Sequence, residues 1–272
     1  MCVCVCVYVC ASATIRAGDT CLKSVEQFCY LGSTLVNTVS SDSDITLRLA
    51  KAGSAFGRLQ RRLWSEHGVS VRTKVAVYRA VVLSSLLYGC ETWTLYRRSI
   101  RKLDQFHLRC LRRIAGIKWQ DRVPNTDVLR TCQMSGIEAL LLRAQFRWAG
   151  HVVRMPDNRI PKQIFFGQLA SGKRLQGGPV RRYKDTLKLN LKQCGISVDS
   201  LSSAALKRTA WRSHCREAID DFEEARVAAL EHKRAVRKGS VSSHNTGAWP
   251  CDRCKKICHS RIGLYAHQRT HR

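Results

Sequence analysis

CDRCKKICHSRIGLYAHQRTHR, Cys251–Arg272, closes the chain with a run of metal-binding side chains that has no counterpart earlier in the sequence. Two residues separate Cys251 from Cys254, twelve follow, and His267 and His271 stand with three between them. C-x2-C-x12-H-x3-H is the spacing that folds a hairpin and one helix around a tetrahedral Zn²⁺ ion. The first pair fits a tight turn, and the second lies one turn apart on a helix face. Trp249, two before the first cysteine, and Leu264, three before the first histidine, fall where such a module places its core. Cys258 stands where a phenylalanine is usual and serves as a small buried thiol. The sequence therefore predicts a ββα zinc finger over residues 249–272, with Cys251, Cys254, His267 and His271 as the metal ligands.

Binding zinc does not make the module a reader of base sequence. Fingers of this kind read bases from helix positions −1, 3 and 6, which here are Ser260, Gly263 and Ala266. Glycine and alanine offer no hydrogen-bonding side chain, and serine is short and ambiguous. Arg261, Arg269 and Arg272 can hold phosphates, which gives affinity without specificity. The expected behaviour is a non-selective grip on nucleic acid or on a partner protein.

The 272 residues leave room for one large domain or two modest ones besides the finger. A net charge of +27 points to a nucleic-acid partner, because neutralising phosphates rewards such a surplus. The apolar fraction, 44%, is that of a globular protein and not of a basic disordered tail. No apolar run approaches the length of a membrane span, and neither a membrane nor a small-molecule substrate is expected. Of the 14 cysteines, four lie in MCVCVCVYVC, two are finger ligands, and the others have no framework spacing. That distribution favours a reduced, intracellular setting over a disulfide scaffold. HKRAVRK (His232–Lys238) fits a nuclear address and equally an ordinary basic helix end.

MCVCVCVYVC alternates Cys and Val, and an in-frame TG repeat encodes that alternation. Residues 1–13 are read as a translated simple repeat without ordered structure and are left out of the fold. The rival is a secretory signal, since Ala11-Ser12-Ala13 follows about ten apolar residues; no basic residue precedes the run, as a signal requires.

Between these ends the period is helical. Ile45, Leu49, Ala52, Phe56, Leu59 and Leu63 draw one stripe after a cap at Ser41 or Asp42. A second helix starts after Ser70, and a third follows Ser99 and ends before Gly116. Further helices are predicted over 126–133, 137–153, 180–193 and 203–238, with strands at 27–35 and 163–166. The polar run 237–247 reads as a linker. The expected fold is mainly α: a basic helical domain over 14–238 with few short strands, a linker at 239–248, and the finger.

The charge is concentrated. Between Lys51 and Lys118 there are 15 Lys and Arg against 3 Asp and Glu, a local excess of 12. Arg58, Arg61 and Arg62 mark the end of the first helix. Arg97, Arg98, Arg101, Lys102, Arg109, Arg112 and Arg113 load the third. With Lys173, Arg174 and Arg261, these are the candidate nucleic-acid contacts. Any one of them alone is most simply a solvated helix face; the excess over three packed helices is what suggests a phosphate-tracking surface.

FCYLGSTL (Phe28–Leu35), LLYGCETW (Leu86–Trp93), FRWAGHVVRM (Phe146–Met155) and GKRLQGGPVRRYKD (Gly172–Asp185) occur in this order. Together they resemble the carboxy-terminal part of the reverse-transcriptase polyprotein of non-LTR (LINE-type) retrotransposons, copies of which often end in a single finger. The resemblance covers nearly everything from Thr14 onward. It implies that FCYLGSTL is similar to the segment just past the polymerase palm. It also implies a thumb-like role for the following helices, holding a template–primer duplex by its backbone.

One departure from that pattern bears on activity. Reverse transcription needs carboxylates that hold two Mg²⁺ ions, and the one adjacent pair, Asp220-Asp221, sits in a charged helical context and not in a hairpin turn. The fingers and palm are expected to lie upstream of Met1. The reading is therefore non-catalytic binding of RNA, DNA or a hybrid by a truncated retrotransposon-derived protein, zinc-dependent at its end. The alternatives are a fragment of an RNA-directed DNA polymerase and a translated relic without selected function.

GQLASGKR (Gly167–Arg174) matches seven positions of a phosphate-binding loop but has Arg174 where Ser or Thr must hold Mg²⁺. His151 has no ligand partner at helical spacing. His214 and Cys215 are adjacent and point apart on a helix.

Overall fold

The computed structural model describes residues 15–23, 25–30, 32–36, 40–167, 181–244 and 249–271. The repeat at 1–13, Lys173, Arg174 and Arg272 lie outside the described residues, as does most of the segment that carries the phosphate-loop match.

The described residues are mainly helical. Two small antiparallel hairpins come first, β1 (Arg16–Ala17) with β2 (Thr20–Cys21), and β3 (Gln27–Tyr30) with β4 (Ser33–Val36). The second turns at Gly32, whose φ of 79° suits a residue without Cβ. Helix α1 (Asp42–Arg58) follows, with Asp42 and Asp44 in its first turn against the positive end of the helix dipole. Ser41 is the residue before it, but its hydroxyl caps nothing in α1 and accepts from the Thr94 N–H.

The sequence predicts one helix through Leu63, whereas α1 ends at Arg58 and Gln60–Trp64 winds as a wider π turn. Trp64 accompanies the change. Its ring stacks on Phe56 with centroids 4.8 Å apart, and its Nε1 donates to the Phe56 carbonyl at 2.8 Å. A side chain folded back onto the preceding turn in this way displaces the regular ladder.

Helix α2 (Val71–Val77) starts where expected: the Ser70 hydroxyl accepts from the Thr73 N–H. It passes through a π segment, Tyr78–Leu83, into α3 (Ser84–Leu86). Next come α4 (Arg97–Ile114), α5 (Asn125–Thr131) and α6 (Ile137–Val153), the last with the predicted bounds. Helix α7 (Ile160–Phe166) stands where a strand was predicted at 163–166. Pro161 in its first turn is compatible with a helix start, and four residues, three of them apolar, are too few to separate the two periods.

Helices α8 (Tyr183–Gln193), α9 (Leu201–Leu206) and α10 (Arg208–His244) complete the helical set. The single helix predicted over 203–238 is thus two, parted at Lys207, whose ψ of 95° is extended. Helix α10 also continues to His244, through residues predicted as linker.

Two apolar cores lie within the first of the chain's two units, which ends at Glu223. One is built from α1 to α5 and the start of α6, with Ile45, Tyr78, Leu103, Leu111 and Ile137 among its buried members. The other joins Leu142, Phe146, Ala149 and Val153 of α6 to Leu187, Leu191, Trp211 and Ile219 of α8 and α10. Helix α6 belongs to both, which is why it is apolar nearly all round.

The second unit begins at Glu224, inside α10, rather than after Lys238. None of residues 224–239 is buried, so this length of helix has no core of its own. Beyond it, β5 (Trp249–Pro250) pairs antiparallel with β6 (Ile257–Cys258), and α11 (Arg261–Gln268) runs into a 3-10 turn, Arg269–His271.

Candidate metal centre and nucleic-acid interface

Local chemistry brings Cys251, Cys254, His267 and His271 together. Between β5 and β6 the Cys251 N–H donates to the Lys256 carbonyl at 2.9 Å and the Lys255 N–H returns to the Cys251 carbonyl at 2.7 Å. Lys255 takes a φ of 56° to close this turn. The Ser260 hydroxyl caps α11 by accepting from the Gly263 N–H at 3.0 Å. Helix α11 then carries His267 and its 3-10 extension carries His271, one turn on. Cys258 is buried as expected, while Trp249 is 40% exposed and covers less than its position suggested.

The donor atoms of Cys251, Cys254, His267 and His271 all lie within 4.8 Å of one another. His267 Nε2 and His271 Nε2 are 3.1 Å apart, Cys254 Sγ is 3.0 Å from His267 Nε2, and Cys251 Sγ is 3.6 Å from His271 Nε2. Ordinary zinc bond lengths place tetrahedral N···N and N···S edges at about 3.3 and 3.5 Å, so the set fits a tetrahedral ion. Backbone N–H groups of Cys254 and Arg253 aimed at the Cys251 sulfur lower its pKa against the cost of desolvation. Arg253 closes the far end by donating to the His271 carbonyl at 2.9 Å.

Ser260 spends its hydroxyl on the cap, and Gly263 and Ala266 present no polar group. Arg261 is exposed at the start of α11.

On the first unit, α4 is amphipathic, with Leu103, Phe106, Cys110, Leu111 and Ile114 buried. Arg98, Arg101, Lys102, Arg109 and Arg113 are exposed on it, and Arg58, Arg61 and Arg62 are exposed where α1 passes into the π turn. Arg109 and Arg113 of α4 line a cleft with Phe56, Gly57 and Gln60, which are chain neighbours of Arg58 and Arg61.

Three predicted contacts have other partners. Arg97 pairs with Glu138 and Arg98 with Asp42, although both arginines remain largely exposed. Arg112 is half-buried and spans the 115–125 loop, donating to the Val123 carbonyl at 2.8 Å and to Asn125 Oδ1 at 2.7 Å. It holds that loop against α4.

The sequence reading missed a buried polar network around Asp44. Its carboxylate accepts from Trp93 Nε1 at 2.8 Å and from the Thr34 N–H at 3.2 Å. It also lies 3.7 Å from Arg48, which reaches the Ser33 hydroxyl at 2.9 Å and lies 4.4 Å from the Tyr88 ring centre. A second buried pair, Tyr78 and His107, was also missed. The spacing of Asp44 and Arg48 within an apolar stripe was the available signal for the first; nothing local marks the second.

Asp220 and Asp221 are exposed on α10, Asp220 facing Arg143 at 3.1 Å. His151 is exposed, and His214 is exposed while its neighbour Cys215 is buried. Burial pushes the thiols of Cys90, Cys110 and Cys215 up to about 12 and that of Cys194 to about 11, and all four pack within the two cores. The cysteines among the described residues are unpaired. No described helix is long and apolar enough to cross a membrane.

No protein-family profile matches the chain, and no solved structure matches it. A curated sequence does: the chain is similar, at 25% identity over 202 residues covering 72% of each protein, to an uncharacterized transposon-derived protein of Caenorhabditis elegans.

Proposed function

We propose that this chain is a transposon-derived, non-catalytic nucleic-acid-binding protein that grips the phosphate backbone of RNA, DNA or a hybrid. The observation that carries the reading is the exposure of the cations of α4 and of the arginines at the end of α1, on a chain of net charge +27. Exposed guanidinium and ammonium groups on a packed scaffold release counterions when phosphates replace them, which needs no base contact. The distant likeness to a transposon-derived protein supports the origin.

In the second unit, Cys251, Cys254, His267 and His271 would hold Zn²⁺, and the ion supplies folding energy to a module with a small core. Arg261 and Arg269 then face a backbone without reading bases.

The test is retention of a short duplex by the purified chain across a salt series. A linear fall of log affinity with log salt, equal for unrelated sequences, is expected. Failure to retain any polynucleotide at low ionic strength, or extension of a primer, overturns the reading.

A further inference from the structure

The cleft between α1 and α4 has a volume of about 320 Å³, at the lower end of the range for small-ligand sites. Its make-up is specific. Phe56 and Phe106 supply an apolar floor, Arg109 and Arg113 a cationic rim, and Gly53 and Gly57 a wall without side chains. Two glycines inside a helix disfavour that helix, and packing does not demand either of them. A Cβ on Gly57 would meet nothing within 4 Å, and one on Gly53 would reach Phe106 at an ordinary 3.9 Å. What the glycines do is leave the space open.

The rim is arranged as well as charged. The Arg109 guanidinium lies 5.5 Å from the centre of the Phe106 ring, and that planar group offers a stacking surface of its own. With its amide oxygen turned toward α4, Gln60 accepts from Arg113 Nε at 3.0 Å and from its Nη2 at 2.9 Å. Arg113 is thereby held at the mouth.

We infer that this cleft takes one unstacked nucleotide of a single strand, its base lodging against the aromatic floor and the Arg109 guanidinium and its phosphate held by Arg113. The ligand's two halves match the site's two halves. A base has an apolar face that stacks on aromatic and guanidinium planes, and its phosphate carries the charge that the rim lacks. A base still paired within a duplex is not free to enter, so duplex would be held by the surrounding arginines alone. The inference rests on the proposed backbone binding and adds a base-dependent subsite to it.

The experiment compares the full-length protein's affinity for an oligothymidylate, for an abasic strand of the same length, and for a duplex. Gly57→Leu fills the cleft, leaves every charge in place, and replaces a helical glycine by a better helix former. The wild-type protein is expected to prefer the base-bearing strand over the abasic one by about fivefold or more, the scale of one stacked base. G57L is expected to lose that preference while keeping its duplex affinity and salt slope. Gly57→Ala, which adds one methyl into open space, should lie between.

Equal affinity of the wild-type protein for base-bearing and abasic strands overturns the subsite and leaves backbone binding standing. So does a preference that survives in a folded G57L, or one that is undiminished in G57A should G57L fail to fold. Binding of none of the three probes overturns the backbone reading itself.

Discussion

Trp211 lies across Gly150. The indole Nε1 donates to the Phe146 carbonyl at 3.0 Å, and a methyl built on Gly150 would overlap the indole ring. The glycine of the WAGH stretch is therefore the seat for a tryptophan 61 residues further along, 1% exposed at the centre of the second core. Gly150→Ala should cost about 1–3 kcal/mol, as overpacking of a filled core does. A denaturant midpoint equal to that of the unmutated protein would contradict the close packing.

The buried pair Tyr78 and His107 sets an acid limit. The tyrosine hydroxyl and His107 Nδ1 are 2.8 Å apart, and His107 Nε2 lies 3.2 Å from the Ser135 carbonyl, so the neutral ring is satisfied at both nitrogens. Burial lowers the His107 pKa from its usual 6.5 to about 4, opposed by the Ser135 carbonyl and by Glu223. Because the folded pKa lies below the unfolded one, the unfolded chain takes up the proton first. The contribution is complete above pH 6.5 and is lost as pH falls toward 4, amounting to roughly 3 kcal/mol. Urea midpoints measured from pH 7.5 to 4.5 should fall, and His107→Gln should remove that part of the slope.

Asp44 joins the β3–β4 hairpin, α1 and the ETW stretch in one network. Asp44→Ala would leave the Arg48 guanidinium, already 5% exposed with an unpartnered Nε, without its carboxylate. Loss of one partner from a buried ion pair costs about 3–5 kcal/mol. Thermal unfolding followed by far-UV circular dichroism tests this, and a melting temperature within error of the original would refute it.

The cations of α4 should separate by role. Arg109→Ala and Arg113→Ala are expected to lower duplex affinity uniformly across sequences and to reduce the salt slope by about 1 each. Arg112→Ala, which frees the 115–125 loop, should reduce stability instead and leave the slope unchanged. Equal slopes for all three variants would sink the assignment.

Removing the metal should affect the second unit alone. A chelator, or His267→Ala, should unfold residues 249–271 and leave the helical signal of the first unit intact. Uptake of one Zn²⁺ per chain, and its loss in the variant, is the direct measurement. Loss of helicity throughout would show that the finger and the helical unit depend on each other.

Residues in and beside the stretches that carry the resemblance are hydrogen-bonded to one another across the fold. Trp93 of LLYGCETW donates to Asp44, its carbonyl accepts from Gln145 at 3.1 Å, and Gln145 accepts from Asn190 at 2.7 Å. Tyr183 of RRYKD donates to the Glu91 carbonyl at 2.8 Å. Their order along the chain was legible; that they meet was not, because each bond joins residues 45 or more positions apart.

By itself the sequence determined what is set locally. Helical periods are written in neighbouring residues, and so α4 and α6 stand where predicted. Ligand spacing fixes a hairpin and a helix, and so the four donors gather. Tertiary structure decided the rest. It wound Gln60–Trp64 as a π turn under Trp64, parted α9 from α10 at Lys207, assigned Arg112 to a loop, and placed Gly57 beside Arg109 and Arg113. Those outcomes depend on what packs against what across long stretches of chain, and a window of neighbouring residues carries no record of its distant partners.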